Sequence, residues 1–113
     1  MNKSLQLNRW AKEGQGIKRL IRAQAEDFKR RGLILEGGNL SRRLRMEYAY
    51  LNSKIYEGAA EIIGPRFAET FIEEIGGGVG YAKSAVEFLS EAAYKEYKTE
   101  IVCNIAKKLY LWE

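Results

Sequence analysis

Arginines concentrated between residues 18 and 45 are the side chains with the clearest chemical potential in this sequence. Arg30 and Arg31 end one predicted helix, and Arg42, Arg43 and Arg45 open the next. We expect the two helices to pair through the glycine turn between them, which would gather these arginines at one end of the molecule. Guanidinium groups match the geometry of phosphate and carboxylate oxygens, and clusters of them bind nucleic acid with little regard to its sequence. The residues predicted to contact nucleic acid or a protein partner are Arg22, Lys29, Arg30, Arg31, Arg42, Arg43, Arg45 and Tyr50.

The same arginines are equally consistent with an ordinary solvated surface. Arg22 and Glu26 have the i,i+4 spacing of a helical ion pair, and Asp27 and Glu47 reduce the net charge nearby. Tyr50 is predicted to project beside the arginines, where a tyrosine stacks on unpaired bases or anchors a protein interface. Spacing alone therefore does not distinguish nucleic acid from an acidic protein surface as the partner.

A glycine-rich segment at residues 77–84 approaches the phosphate-binding pattern GxxxxGK[ST]. Ala82 stands where that pattern requires its second glycine, and no strands are predicted to carry such a loop. Ser84 and Glu87 have the spacing of a capping box that opens a helix. We therefore interpret this segment as a connector between two helices.

Residue types argue against catalysis. Histidine is absent, which removes the commonest general base and the Glu-x-x-His pattern of di-metal helical bundles. Paired carboxylates of the glycosidase type need a cleft that a bundle this small rarely provides. Cys103 has no histidine to activate it and lies among apolar neighbours. We expect a protein that is not an enzyme and that holds no metal and no cofactor. The carboxylate pairs at helical spacing are Glu57/Glu61, Glu69/Glu73 and Glu87/Glu91.

Charge is distributed unevenly along the chain. The formal net charge of +4 divides into +7 for residues 1–50 and −3 for residues 51–113. A basic half attracts polyanions or an acidic protein surface. It also permits attraction between the basic half of one copy and the acidic half of another.

Apolar residues recur at three- and four-residue intervals almost throughout, which predicts helices rather than strands. The predicted helices cover residues 3–13, 17–31, 40–62, 65–75 and 80–110. Residues 33–35 are interpreted as a packed connector, and Asn39 as the N-cap of the third helix. The 113 residues are enough for one domain, so we predict a single all-α domain over residues 1–113. Its architecture would be a small helical bundle of four to five helices with a long C-terminal helix.

The apolar stripe of the last predicted helix changes sides partway along. Either this helix bends or breaks near residues 93–99, or its C-terminal part packs against a different body. No glycine or proline lies between residues 81 and 113 to force a break. We therefore favour packing against a second copy of the chain, in a homodimer. The residues predicted to mediate this self-association are Tyr97, Ile101, Ile105 and Leu109.

These observations favour a non-enzymatic binding module that contacts the phosphates of RNA or DNA, alone or within a larger complex. The alternative is an inhibitor or adaptor, of the kind that phages and mobile elements encode, that binds an acidic or nucleic-acid-binding surface of a protein. The first residues lack the apolar core of a signal peptide, and no run approaches the ~18 apolar residues of a membrane span. With a single cysteine, the expected location is the cytoplasm, without membrane attachment.

Overall fold

The computed structural model describes the backbone of residues 3–113 and the side chains from Leu5 onwards. Over this range the chain forms six α-helices and one short 3-10 helix, and it contains no strand. The all-α class is therefore confirmed, and the predicted count of four to five helices is too low. The helices are α1 (Lys3–Glu13), α2 (Gln15–Glu26), α3 (Phe28–Gly37), α4 (Arg42–Ile63), α5 (Pro65–Gly77) and α6 (Glu91–Lys108), with the 3-10 helix (Tyr81–Lys83) between the last two.

Helices α4 and α6 form the centre of the bundle, α5 packs beside α4, and α2 lies across α5 and α6. Their apolar stripes meet in one cluster of buried side chains. Each isoleucine or phenylalanine that is fully removed from water there contributes roughly 1.5–3 kcal/mol to the free energy of unfolding. The largest fully buried apolar side chains of this core are Ile21, Ile55, Phe71, Ile72, Ile101 and Ile105. None of the helices between residues 3 and 113 has the length and the apolar character required to cross a membrane.

The predicted third and fourth helices correspond closely to α4 and α5. The boundary between them lies at Gly64-Pro65, where the proline occupies the first turn of α5. The N-cap of α4 is Ser41, whose hydroxyl accepts a hydrogen bond from the Leu44 N–H at 3.3 Å. The prediction that Asn39 caps this helix is therefore wrong by two residues.

The predicted helix over residues 17–31 is in fact two helices separated at Asp27. The Asp27 carboxylate accepts hydrogen bonds from the guanidinium groups of Arg30 and Arg31, one turn further along the chain. These bonds stabilise the first turn of α3, which then runs on to Gly37 and includes residues 33–35. The interpretation of residues 33–35 as a non-helical connector is therefore wrong.

The predicted helix over residues 80–110 is also interrupted, but earlier than residues 93–99. Residues 84–90 are not helical, and α6 begins only after its N-cap, Ser90. The carboxylate of Glu74 holds this connector by accepting hydrogen bonds from the Ser84 hydroxyl at 2.6 Å and the Ala85 N–H at 2.8 Å. Periodicity shows this break only as the change of side of the apolar stripe and does not locate it, because the break depends on a carboxylate from a different helix.

The break also explains the change of side of the apolar stripe without a second chain. Ile101 and Ile105 are fully buried in the core of their own chain, and Tyr97 and Leu109 are partly buried against the same core. The prediction that these four residues form a self-association surface is therefore corrected. Because the apolar side chains of this stripe pack against the core of their own chain, the stripe no longer supports a homodimer.

Candidate anion-binding site

The arginines that the sequence analysis grouped together have different environments. Arg31 is only 2% exposed, and its guanidinium donates four hydrogen bonds inside the protein. The partners are Asn52 Oδ1 at 2.7 Å, the Gln24 carbonyl at 2.7 Å, Asp27 Oδ2 at 3.0 Å and Gln24 Oε1 at 3.2 Å. Burial lowers the pKa of Arg31, against the opposing effect of Asp27. Arg31 is therefore a structural residue with no surface left for a phosphate, which corrects its predicted role.

Three further members of that group already have partners. Arg30 forms a two-armed contact with the carboxylate of Asp27, which raises the pKa of Arg30. Arg43 pairs with Glu47 at 3.3 Å, and Arg45 donates a hydrogen bond to the Leu35 carbonyl at 2.9 Å. The end formed by α3 and α4 is thus partly neutralised.

The remaining predicted residues are exposed but do not form one patch. Arg42 opens α4, while Lys29 lies in the first turn of α3, at the opposite end of that helix from the turn that leads into α4. Tyr50 is 49% exposed, and the Lys54 ammonium lies 5.6 Å from the centroid of its ring. Arg22 belongs to a separate surface on α2.

That separate surface contains a basic pocket, defined here by Lys18 and Arg22 of α2 and Lys98 of α6. The pocket has a volume of about 210 Å³ and is partly open to solvent. In the described part of the chain, none of the three cations forms an ion pair with a carboxylate, and Arg22 does not pair with Glu26. The residues that line the pocket are Lys18, Arg22, Ile75, Gly78, Val79, Gly80, Lys98, Thr99 and Val102.

Local structure explains why these side chains converge. Lys18 and Arg22 are four residues apart, so they share one face of α2. α5 ends beside them at Gly78, which adopts a left-handed conformation with φ of 67°. A Cβ atom on Gly78 would lie 3.6 Å from Arg22 Nη2, which shows how closely the guanidinium approaches this turn. The turn then presents the Val79 carbonyl, which accepts a hydrogen bond from Lys98 Nζ at 2.7 Å.

Lys98 is the most constrained of the three cations. Its ammonium lies 5.2 Å from the centroid of the Tyr94 ring in addition to bonding Val79. Burial is the main cause that lowers the pKa of Lys98, and the positive charges of Arg22 and Lys18 lower it further. The negative charge of Glu74 acts in the opposite direction. The pocket therefore concentrates positive charge that its own surroundings only partly compensate.

The negative charge of Glu74 acts on Lys98, but both carboxylate oxygens of Glu74 already accept hydrogen bonds within the protein. Besides Ser84 and Ala85, it accepts a hydrogen bond from the Tyr94 hydroxyl at 2.6 Å. These donors, with the charge of Lys98, lower the pKa of Glu74 although burial opposes the shift. Burial and the neighbouring carboxylate raise the pKa of Tyr94 to about 12. Glu74 thus supports the wall of the pocket rather than neutralising its cations directly.

The Glu74 contacts predict a specific acid dependence of stability. Because the folded-state pKa is lowered, the stabilisation is present above the unfolded value of about 4.3 and is lost as pH falls through the folded value. We expect Glu74→Gln to lower the free energy of unfolding by about 2 kcal/mol at pH 7, since it weakens charge-assisted hydrogen bonds. Urea titrations from pH 7 to pH 3 should show the difference from the unmodified protein shrinking below about pH 4.3. A difference that stays constant over this range would contradict the assigned role.

Of the three cations, Arg22 was among the residues predicted to bind a partner, whereas Lys98 was not. The only sequence signal was the glycine-rich segment, which was compared with a phosphate-binding loop because of Lys83 and Ser84. In the structure Ser84 instead bonds Glu74, whereas the glycine turn faces cations from α2 and α6. Lys18 and Lys98 come close together only through tertiary packing, and no local sequence pattern predicts that packing.

Other chemistry has little support in the described residues. Between Leu5 and Glu113 no group of three or more His, Cys, Asp or Glu side chains is arranged to hold a metal ion. Cys103 is buried, and burial raises the pKa of its thiol, which disfavours the nucleophilic thiolate. Comparison with protein families, with curated proteins and with solved structures finds no match to this chain.

Proposed function

We propose that this protein is a non-enzymatic, cytoplasmic binding module that contacts the phosphates of nucleic acid through the basic pocket and the adjoining surface of α2. The observation that carries this proposal is the convergence of Lys18, Arg22 and Lys98 on one open pocket without a carboxylate partner. Like charges held together in this way repel one another, and an anion relieves that repulsion. Arg19 and Arg22 also line an adjoining groove beside Gly76, together with Glu26.

This proposal moves the binding site away from the arginine-rich end that the sequence favoured. Arg31 is buried there, and Arg30 and Arg43 are paired with carboxylates. An arginine that already holds a carboxylate must release it before it binds a phosphate, so its contribution to affinity is small. Affinity for nucleic acid should accordingly depend more on α2 than on the start of α4.

Two double variants of equal charge test this assignment. We expect Lys18→Ala/Arg22→Ala to weaken binding to a single-stranded oligonucleotide by more than about tenfold, since two charged contacts are lost. The slope of log affinity against log salt should become shallower by about 1.4 units, at about 0.7 per lost contact. The matched control, Arg42→Ala/Arg43→Ala, should change the affinity by less than about threefold in the same fluorescence anisotropy titration.

Both variants change exposed or half-exposed side chains, so each should remain folded, as circular dichroism can verify. Equal losses in the two variants would refute the pocket as the centre of binding. A larger loss in Arg42→Ala/Arg43→Ala would restore the arginine-rich end as the site. Absence of binding by the unmodified protein at low salt would refute the proposed function itself.

The second candidate function is binding to a protein partner, as an inhibitor or adaptor. One face of α4 exposes Arg43, Met46 and Tyr50, and Leu33 of α3 and Leu44 of α4 are also 61% and 41% exposed. Arginine, tyrosine and exposed apolar groups are the side chains that dominate protein interfaces. The titration above discriminates the two functions, because a protein adaptor of this kind needs no affinity for nucleic acid at low salt.

A further inference from the structure

We infer that the basic pocket takes a terminal phosphate, the phosphomonoester at the end of a nucleic-acid strand, in preference to an internal phosphodiester. This inference rests on the proposed function and specifies which chemical group of the nucleic acid enters the site. Three features favour a terminal phosphate: the size of the pocket, its charge and the position of its polar groups.

The size of the pocket suits a single small group. At about 210 Å³ it lies below the roughly 300–1,000 Å³ of pockets that enclose drug-sized ligands. Residues of α2, α5, the turn at Gly78–Gly80 and α6 line it. A terminal phosphate enters such a recess with its single ester bond directed outwards, whereas an internal phosphate carries chain on both sides and must lie across the mouth.

The charge of the pocket matches a dianion better than a monoanion. Three cations face the recess, and a phosphomonoester carries a charge of about −1.5 to −2 at pH 7 because its second pKa is about 6. An internal phosphodiester carries a single negative charge. Arg22 supplies a planar fork that binds two phosphate oxygens, and the lysines act as point charges.

Part of the pocket wall already uses its hydrogen-bonding groups within the protein. The carbonyls at the end of α5 would be the natural competing acceptors, because a helix C-terminus is negative. The Glu74 carbonyl already accepts the Val79 N–H at 2.9 Å, and the Ile75 carbonyl accepts the Gly78 N–H at 3.3 Å. Val79 holds Lys98 in place by one hydrogen bond, and an ammonium has two further protons available to a ligand. Ile75 and Val102 supply apolar lining that excludes water from part of the recess.

The test compares short single-stranded oligonucleotides of one sequence that carry a 5′-phosphate, a 3′-phosphate or no terminal phosphate. We expect the intact protein to bind at least one phosphorylated form about fivefold or more tightly than the unphosphorylated form at pH 7.5. Lys18→Ala/Arg22→Ala should abolish this ratio, and Arg42→Ala/Arg43→Ala should preserve it. A free nucleoside monophosphate should compete with the phosphorylated oligonucleotide if the pocket recognises the phosphate alone.

The ratio of the affinities for phosphorylated and unphosphorylated oligonucleotide should also depend on pH, and this dependence identifies the phosphomonoester as the group that is bound. It should fall between pH 7 and pH 5, as the phosphomonoester takes up a proton. It should fall again at alkaline pH, earlier than for an ordinary lysine, because Lys98 is half-buried beside Lys18 and Arg22, and Glu74 opposes their effect. Tyr94, which also faces Lys98, stays neutral over this range because its pKa is about 12.

The outcomes separate the inference from the function on which it rests. Equal affinity for all three oligonucleotides, with a loss in Lys18→Ala/Arg22→Ala, would overturn the preference for a terminal phosphate and leave the nucleic-acid function standing. A ratio that survives in Lys18→Ala/Arg22→Ala would also overturn the inference, since the recognition would lie elsewhere. No binding of any oligonucleotide would overturn both.

Discussion

Replacing Arg31 with alanine is expected to lower the free energy of unfolding by about 3 kcal/mol, whereas the same change at the adjacent Arg30 should leave stability nearly unchanged. Arg31 is buried and donates to Asn52, Gln24 and Asp27, so its removal leaves polar groups of α2 and α4 without partners. Arg30 is exposed, and its contacts are with the carboxylate of Asp27 and with Tyr48. Urea unfolding of the two variants at neutral pH measures the difference directly.

Arg31→Lys is the informative companion to this pair. A lysine retains the charge but presents one ammonium, which does not reach the Asn52 amide, the Gln24 carbonyl and the Asp27 carboxylate together. We therefore expect Arg31→Lys to be nearly as destabilising as Arg31→Ala. If Arg31→Ala unfolds at the same urea concentration as Arg30→Ala, the buried network is not a stabilising element. In that case the assignment of Arg31 to structure rather than to binding fails.

The contrast between these two arginines shows what sequence patterns reveal in this protein. Apolar periodicity predicted α4 and α5 well, because their buried side chains repeat at three- and four-residue steps. It did not reveal that Arg31 is turned inwards, since nothing local distinguishes it from Arg30. The partner that satisfies Arg31 on α4, Asn52, lies 21 residues further along the chain.

The two breaks that the sequence analysis missed have the same origin. Asp27 separates α2 from α3, and its carboxylate accepts hydrogen bonds from Arg30 and Arg31, while Glu74 holds residues 84–85 away from a helical path. Both depend on polar side chains rather than on glycine or proline, which are the usual signals of a helix end. The basic pocket was hidden for a related reason, because Lys98 joins Lys18 and Arg22 only after α6 has packed against α2.

The close approach of α2 and α5 is the second feature with a large expected effect. A Cβ atom on Gly76 would lie 2.5 Å from the Glu26 backbone nitrogen and 2.6 Å from its Cα atom. Both atoms belong to the backbone of α2, so the contact is not relieved by a side-chain rotation. Gly76→Ala must therefore move one helix away from the other, and we expect it to lower the free energy of unfolding by about 2–3 kcal/mol.

The neighbouring Gly77 provides the matched control. It lies in the same last turn of α5, and a Cβ atom there would meet only the Val79 side chain at 3.6 Å, an ordinary contact. Gly77→Ala should be neutral or slightly stabilising, because alanine loses less conformational freedom than glycine on folding. Thermal unfolding of the two variants should therefore give a large shift for the first and almost none for the second.

The same pair of variants tests whether the basic pocket depends on this helix contact. Lys18 and Arg22 belong to α2, whereas Gly78–Gly80 follow α5, so a displacement between the two helices widens the recess. Gly76→Ala should therefore also weaken oligonucleotide binding at a temperature where the variant is still folded, and Gly77→Ala should not. Full binding by a destabilised but folded Gly76→Ala protein would mean that the phosphates bind to α2 alone, because the glycine turn would then contribute nothing to their position.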